Sequence, residues 1–518
     1  MFATEYYVNS KIGNDKNTGK SPEQAWKSLD KVNRKNFKAG DQILLATGLE
    51  YTGTLILDKQ YGSKKNPIIV TSYAYNSNTE KPHINAKGYL NGILIKGGSH
   101  LKIDGISVTA NGGDNNPKKG MRCGIFYTTS DGIFENITIE NCTVKNVFFE
   151  NSGFQRGEKE VKTANGTQSY GWGIRFIVNK KARLKGAYVQ NNRVENVAHT
   201  GIKINGKIDN LNVLNNEVFK TGGPGMQFSH ITNSLIKGND VNYSGSKDDS
   251  RKWGRGSGMW TWGVDTVLIE HNQFRNSNGP ADSAGCHIDF NCKNVVVQYN
   301  VSENNAGGFA EILGNNWNCS YRYNISINDG HRVKKKGVAF QEGKIYWLSG
   351  FVGKDRKRKG PYNSYFYNNT IYVKDDITAK MAVAKVAEGV LVANNIFYIE
   401  GESKAVLGDQ YQPQEEGTAD IPNVIFKNNL FLKAKNWPKN VMIQDEDPII
   451  GNPKFKNPGG IEIQDYIPTN KSLIKNKGIK IPYITGDTKG LYVGLEVETD
   501  ILGNKIKGNP DMGAIEIQ

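Results

Sequence analysis

The stretch from residue 190 to 241 reads QNNRVENVAHTGIKINGKIDNLNVLNNEVFKTGGPGMQFSHITNSLIKGNDV and contains the same short phrase three times. In each copy an apolar run is followed by Asn, one variable residue and a β-branched residue. Asn192, Asn216 and Asn239 are separated by 24 and 23 residues. A period of this length is typical of a solenoid in which each repeat is one coil of short strands.

The Asn phrase continues towards the C-terminus of the chain. The same position of later coils is occupied by Asn272, Asn300, Asn324, Asn369, Asn395 and Asn429, and in an earlier coil it is occupied by Cys142 of ENCTV. We call this position the Asn column. An Asn amide both donates and accepts, so stacked copies can satisfy each other and the buried backbone groups of a turn. The repeat therefore predicts an all-β fold, a right-handed parallel β-helix.

A second phrase begins another strand of each coil with Gly and alternating side chains. Its members include GIKIN at 201, GMQFS at 225, GMWTW at 258, GCHID at 285 and GVAFQ at 337. Alternation with period two assigns the residues after Gly in turn to the interior and to the outer face. The predicted interior comprises Ile202, Ile204, Met226, Phe228, Met259, Cys286, Ile288, Val338 and Phe340.

The chain has 518 residues, a length that exceeds one ordinary hydrophobic core but suits a repeat protein. We predict one continuous domain, with an N-terminal cap and first coils over 1–90, groove-bearing coils over 91–435, and C-terminal coils and a loop-rich tail over 436–518. The Ser-Pro start of SPEQAWKSLDKV at 21–32 predicts a capping helix. The five cysteines form no CxxC pair, which indicates buried thiols.

Charge and the chain ends indicate the kind of partner. The formal net charge of +15 favours polyanions, and we expect an anionic polysaccharide rather than nucleic acid, bound by a monomer. No run approaches the roughly 20 apolar residues of a membrane span, so we expect no membrane association. The opening MFATEYYVNS lacks the features of a signal peptide, and we expect a secreted or periplasmic protein whose export signal is absent from this sequence.

Insertions into the coils predict a groove. Most precede the Gly-started strand, at 113–121, 150–170, 246–256, 276–284 and 331–336, and one follows it near 353–360. Loops inserted at one edge of a sheet would form a wall beside its outer face. Two basic runs lie in the last two insertions and include Lys334 and Arg356, which we expect to hold the substrate, although such runs are often only solvated loops.

Parallel strands of successive coils lie about 4.8 Å apart, so residues at one offset form a line. The second residue after Gly predicts an outward line of Arg175, Lys203, Gln227, Trp260 and His287. Arg175 and Lys203 would bind carboxylate or sulfate groups, with Gln227 beside them. Trp260 and Trp262 would stack on sugar rings, unless an inserted loop covers them.

A pair of carboxylates is the predicted catalytic centre. In GGFAEI a strand beginning at Gly308 would bury Glu311 at a cost, whereas a start at Gly307 places Glu311 outside and in line with Asp289. Carboxylates about 5 Å apart suit a retaining glycosidase, and His287 would adjust their protonation. Asp282, in the loop before the strand, is a reserve acid or base. The alternative interpretation is a solvated polar patch.

These residues resemble the right-handed parallel β-helix proteins of carbohydrate-degrading bacteria. The opening YYVNSKIGNDKNTGKSPEQAWKSLDKV and the ending GNKIKGNPDMGAIE carry the resemblance across nearly the whole chain. The group includes hydrolases of fucose-containing and other sulfated algal polysaccharides, and alginate, pectate and chondroitin lyases. The segments GMWTWGVDTVLIEHN, SAGCHIDFNCKNVVVQYN and GGFAEILG resemble the fucan- and fucoside-cleaving branch more closely.

The resemblance and the residues together predict an endo-acting glycoside hydrolase for an anionic, sulfated polysaccharide such as a fucan, with no cofactor and no metal. Two alternatives stay open. One is a lyase acting on a uronate polymer, since alginate lyases of this fold use a Lys and Arg pair that Arg175 and Lys203 could imitate. The other is a β-helix protein that binds polysaccharide without cleaving it.

Overall fold

A computed structural model describes residues 3–111, 122–148, 171–245, 255–279, 281–333, 342–353, 355–405, 424–434 and 445–518. It contains two compact units, Met1–Leu235 with Gly245–Arg255, and Ile236–Ser244 with Gly256–Gln518. Both units consist of short strands paired in parallel with those of the next coil. The predicted parallel β-helix is confirmed, whereas the single continuous domain and its boundaries at 90 and 435 stay predictions.

In the first unit each full coil contributes strands to two sheets. The larger sheet contains Glu5–Val8, Gln42–Ala46, Leu55–Asp58, Ile68–Tyr73, Asn91–Lys96, Leu101–Asp104, Arg122–Thr128, Gly132–Glu140, Gly171–Ile177, Ala182–Gln190 and Ile202–Leu214, and Met226–Lys237 begins in this unit. The smaller sheet contains Glu50–Thr52, His83–Asn85, Ser107–Ala110, Thr143–Val147, Arg193–Val197 and Glu217–Thr221.

The second unit repeats this arrangement. Its larger sheet contains Met259–Trp262, Asp265–Glu270, Cys286–Ile288, Lys293–Gln298, Gly308–Ile312, Ser320–Arg322, Lys344–Leu348, Tyr362–Tyr367, Ala379–Val383, Glu388–Ala393, Ser403–Ala405 and Val424–Lys427. Its smaller sheet contains Asp240–Ser244, Gln273–Arg275, Val301–Glu303, Ile325–Ile327, Thr370–Val373, Ile396–Ile399, Leu430–Phe431 and Ile449–Ile450.

The predicted Asn column forms a hydrogen-bonded ladder in each unit. In the second unit the backbone N–H and the side-chain Nδ2 of Asn272 both donate to Asn300 Oδ1, each at 2.9 Å. Asn300 bonds Asn324 in the same way, at 2.9 and 3.0 Å. In the first unit Asn192 bonds Asn216, and the backbone N–H of Cys142 donates to Asn192 Oδ1. The ladder therefore ties each coil to the next.

The residue before each ladder Asn bends the chain. In the Asn-Asn pairs this first residue has a positive φ, 55° at Asn191, 52° at Asn215 and 57° at Asn394. Asn tolerates this left-handed region better than most residues because its short polar side chain bonds locally. The first Asn of each pair therefore makes the bend, and the second builds the ladder.

The predicted interior is confirmed wherever the structure describes it. Ile202, Ile204, Met226, Phe228, Met259, Cys286 and Ile288 are all buried. Val338 and Phe340 lie outside the described residues. All five cysteines are free and buried, as expected.

The N-terminal helix is shorter than predicted. Residues 21–32 contain a 3₁₀ turn at Pro22–Gln24, and an α-helix follows only at Leu29–Asn33. Trp26, between them, pairs with the strand residue Val8, which holds this part of the segment extended. The α-helix starts where Ser28 Oγ accepts the Lys31 N–H. Its capping role stays a prediction.

The C-terminal tail is loop-rich, as predicted, and it packs against the coils of the second unit. Tyr299 and Tyr367 donate their hydroxyls to the carbonyls of Thr499 and Leu495. Asn368 Nδ2 donates to the Asp511 carbonyl at 2.8 Å. No helix in the described part of the chain is long and apolar enough to cross a membrane.

We predict that Asn300→Ala lowers the free energy of unfolding by roughly 3 kcal/mol, because buried partners on two neighbouring coils lose their hydrogen bonds at about 1–3 kcal/mol each. Guanidinium unfolding followed by fluorescence measures the change. Asn66→Ala, at an exposed side chain, is the control. Equal unfolding midpoints for the two variants would contradict the structural role of the ladder.

Candidate functional site

The register of the strand Gly308–Ile312 differs from the predicted one by two residues. Ile288 pairs with Ile312, so His287 lies opposite Glu311. Asp289 does not align with Glu311, and the predicted start at Gly307 is wrong. From strand geometry, the Cα atoms of Asp289 and Glu311 lie about 8 Å apart, because the two residues are diagonal neighbours.

Gly308 explains the register. Its φ of 142° favours glycine, and it pairs with Ala284. The next residue, Phe309, is buried with its ring 5.7 Å from that of Tyr321. Glu311 is buried, with 5% of its surface exposed. Because paired residues lie on the same face of a sheet, Glu311 shares the face of His287 and not that of the buried Ile288 and Ile312, and its low exposure results from partners such as His287 and Arg332 that cover it.

His287 is the first of these partners. Its Nδ1 lies 3.7 Å from Glu311 Oε2 and 3.3 Å from Ser257 Oγ. Ser257 Oγ also accepts the backbone N–H of Ser283, at 3.2 Å. The imidazole is therefore placed between Glu311 and the loop that carries Asp282, and the predicted role of His287 in adjusting protonation stays a prediction.

Arg332 is the second partner, and the sequence did not single it out. Its buried guanidinium donates from Nη2 to the carbonyl of Asp282 at 2.7 Å and from Nη1 to that of Gly279 at 3.3 Å. Burial lowers the pKa of Arg332 to about 10, while the charges of Asp282, Glu311 and Glu342 act in the opposite direction. Asp282 and Glu311 are therefore both close to one cation.

Asp289 is less buried than the other two carboxylates. Its Oδ1 accepts the backbone N–H of Phe290 at 2.8 Å, and its own N–H donates to the Thr261 carbonyl. It lies two residues after His287 on the same strand face. The second unit thus holds three candidate carboxylates, with Glu311 beside His287, Asp289 two residues after it and Asp282 in the neighbouring loop.

An apolar cluster borders the carboxylates. Leu313, Trp347 and Ala382 are buried together, with Phe290 and Phe351 packed against them, and Trp347 pairs with Glu311 in register. Trp262 is half-buried with its ring 5.8 Å from that of Phe290. Trp260 is only 4% exposed, so its predicted exposure is wrong. Its ring lies 5.3 Å from that of His287, which helps to cover it.

The predicted cationic residues lie in the first unit. Arg175 pairs with Lys203 in register, and its guanidinium carbon lies 4.1 Å from the centre of the Trp172 ring. Burial, with a smaller effect of Arg175, lowers the pKa of Lys203 to about 7. The Ile202 N–H donates to the Gly225 carbonyl, which continues the register and places Gln227 next in line.

The remaining predicted residues are placed only in part. Arg356 is exposed, while Lys334 and most of the inserted loops lie outside the described residues, so the predicted groove wall stays a prediction. Within the described ranges, no group of three or more His, Cys, Asp and Glu side chains is arranged to hold a metal ion.

Comparison with known proteins finds lacto-N-biosidases among the similar proteins. No protein-family model matches the chain. A lacto-N-biosidase of Bifidobacterium longum subsp. longum is 24% identical over 99% of this chain, which spans only 36% of that protein. The crystal structure of GH136 lacto-N-biosidase from Eubacterium ramulus matches with a TM-score of 0.53 and 18% identity, over 78% of this chain and 68% of that one. This structural likeness supports the β-helix fold, and neither protein is described as fucan-cleaving.

We predict that the Lys203 side chain titrates near pH 7 and that Arg175→Met raises this midpoint, because it removes a neighbouring positive charge. The chemical shift of the ε-carbon in ¹³C-lysine-labelled protein gives the titration, and Lys203→Arg identifies the signal. A midpoint near the usual lysine value of about 10.4 would contradict the assigned environment.

Proposed function

We propose that the protein is a glycoside hydrolase whose acid, base and nucleophile are drawn from Asp282, Asp289 and Glu311. The observation that carries the proposal is the contact between buried Glu311 and His287, beside an arginine that also faces Asp282. The lacto-N-biosidase relative supports it, since that protein is a glycoside hydrolase aligned with nearly the whole of this chain.

Glycoside hydrolysis needs two carboxyl groups in different protonation states. One protonates the oxygen of the departing sugar, and the other attacks the anomeric carbon or activates a water molecule. Arg332 attracts both Asp282 and Glu311 electrostatically, and a nucleophile or base carries the negative charge that such an attraction stabilises. His287 would exchange a proton with Glu311, and Trp262 with the neighbouring apolar cluster would support a sugar ring.

Two substrate classes follow from different observations. The net charge of +15 and the paired Arg175 and Lys203 support a carboxylated or sulfated polysaccharide such as a fucan, cut within its chain. The relative's name supports an oligosaccharide of the lacto-N-biose type. Lys334 and Arg356 would add to the binding of an acidic glycan. A monomeric state and a secreted or periplasmic location stay predictions.

A lyase is the second candidate function. A lysine with a pKa of about 7 is neutral often enough at neutral pH to remove the proton beside a uronate carboxyl group, and Arg175 could hold that group. Ultraviolet absorbance from an unsaturated uronate during digestion would favour this candidate over hydrolysis.

We predict that Asp289→Asn and Glu311→Gln each lower kcat by at least about 10³-fold, because an amide can neither transfer the proton nor act as the nucleophile. Reducing ends released from lacto-N-biose oligosaccharides, sulfated fucan and alginate measure the rate. Asp282→Asn tests the third carboxylate, and Glu388→Gln, at an exposed position, is the control. Turnover unchanged in all three carboxylate variants would instead favour a protein that only binds glycans.

We predict that Arg175→Met raises KM about tenfold or more on a sulfated or carboxylated glycan and leaves KM unchanged on its desulfated or reduced form. A hydrogen bond to a charged group contributes about 1.5–3 kcal/mol, which corresponds to this factor. Arg183→Met, at an exposed arginine, is the matched control. An equal change on both forms of the glycan would exclude charge recognition by Arg175.

A further inference from the structure

We propose that Arg332 is a positioning residue that fixes the Asp282 loop against the strand bearing Glu311 and thereby sets the spacing and charge of these two carboxylates. The inference rests on the proposed hydrolase function. It adds Arg332, which the sequence alone does not distinguish from the other basic residues of the insertion at 331–336. Unlike a solvated basic side chain, Arg332 has only 5% of its surface exposed.

The side-chain and backbone contacts of Arg332 reach two parts of the second unit. Its side chain binds the carbonyls of Gly279 and Asp282. Its own backbone N–H donates to the Ala306 carbonyl at 3.1 Å, next to the strand that carries Glu311. Arg332 therefore connects the loop and the strand through one side chain and its own backbone.

The Asp282 loop is held in a bent conformation that needs such support. Asp282 and Ser283 have φ values of 49° and 69°, in the left-handed region. The Ser283 carbonyl accepts the Gly307 N–H at 2.9 Å, so the loop lies directly beside the start of the Glu311 strand. Without the two side-chain bonds from Arg332, the direction of the Asp282 carboxylate would depend on fewer contacts.

Several charged side chains lie close to Arg332. Asp282, Glu311 and Glu342 are the carboxylates that act on its guanidinium, and His287 lies beside Glu311. Lys380 Nζ binds Glu342 at 2.9 Å and the Arg332 carbonyl at 3.1 Å, so Glu342 has its own cation. Lys344 Nζ donates to the Glu342 carbonyl. The charge of Arg332 therefore acts on Asp282, Glu311 and Glu342 together.

This arrangement gives Arg332 two separable effects. The fork of the guanidinium holds two carbonyl groups, which a lysine ammonium cannot reproduce with the same geometry. Its positive charge attracts the neighbouring carboxylates, and a lysine can supply the same charge. Loss of the charge removes this attraction and should therefore move the acidic limb of the rate profile to higher pH.

The experiment compares Arg332→Met and Arg332→Lys with the wild type on the best substrate of the glycan panel. For Arg332→Met we expect kcat to fall about 100-fold with a smaller change in KM, because a misplaced group costs about this factor. The acidic limb of its kcat profile should move to higher pH. Arg332→Lys should lower kcat about tenfold, and the acidic limb of its kcat profile should stay at the wild-type pH.

Two further measurements separate positioning from a loss of folding. The hydrogen exchange of residues 281–283 should increase in Arg332→Met, while the thermal midpoint reports the folded fraction. Arg193→Met is the matched control, since that guanidinium is exposed and paired with Glu195 and Glu217. A pH profile and loop exchange like those of the wild type would overturn the proposal, even if kcat fell.

The outcome for Arg332 can be told apart from the outcome for the proposed function. If the wild type hydrolyses none of the glycans, the hydrolase proposal fails, and the exchange of residues 281–283 still decides whether Arg332 fixes the loop. If the wild type is active and Arg332→Met behaves like Arg193→Met, the hydrolase proposal stands and the role of Arg332 is excluded.

Discussion

The hydrogen bonds between stacked Asn side chains are the interaction on which the other features depend. Each ladder Asn accepts from the preceding coil and donates to the next one, as Asn300 does between Asn272 and Asn324. A shift of one residue would separate these buried amides from their partners on the neighbouring coils. The ladder therefore sets which side chains of successive coils become neighbours, including His287 and Glu311.

The candidate site is a consequence of this register together with charge compensation. A buried carboxylate is stable only with hydrogen-bond or charged partners. Glu311 has His287 from the preceding coil and Arg332 from a later segment. The same cation faces Asp282, so the stability of the buried acids and the chemistry proposed for them rest on the same contacts. The adjoining apolar cluster around Trp347 excludes water from one side, which strengthens these interactions.

The sequence predicted the features that repeat and missed those that depend on a single contact. The ladder, the interior and the loop-rich tail follow from periodicity and composition. The strand at Gly308 was misaligned because Gly307 was taken as the equivalent of Gly285, whereas Gly308 pairs with Ala284. Counting from the ladder would have found the register, since His287 and Glu311 each precede a ladder Asn by 13 residues, 287 to 300 and 311 to 324. The burial of Trp260 depends on non-repeating neighbours and had no such signal.

The most direct test of the account is a crystal structure of the Glu311→Gln variant with a glycan bound. The account predicts a glycosidic bond within hydrogen-bond distance of the residue 311 side chain, an aspartate from 282 or 289 on the same sugar, and residue 311 opposite His287. A glycan bound away from these residues, or residue 311 in line with Asp289, would contradict it.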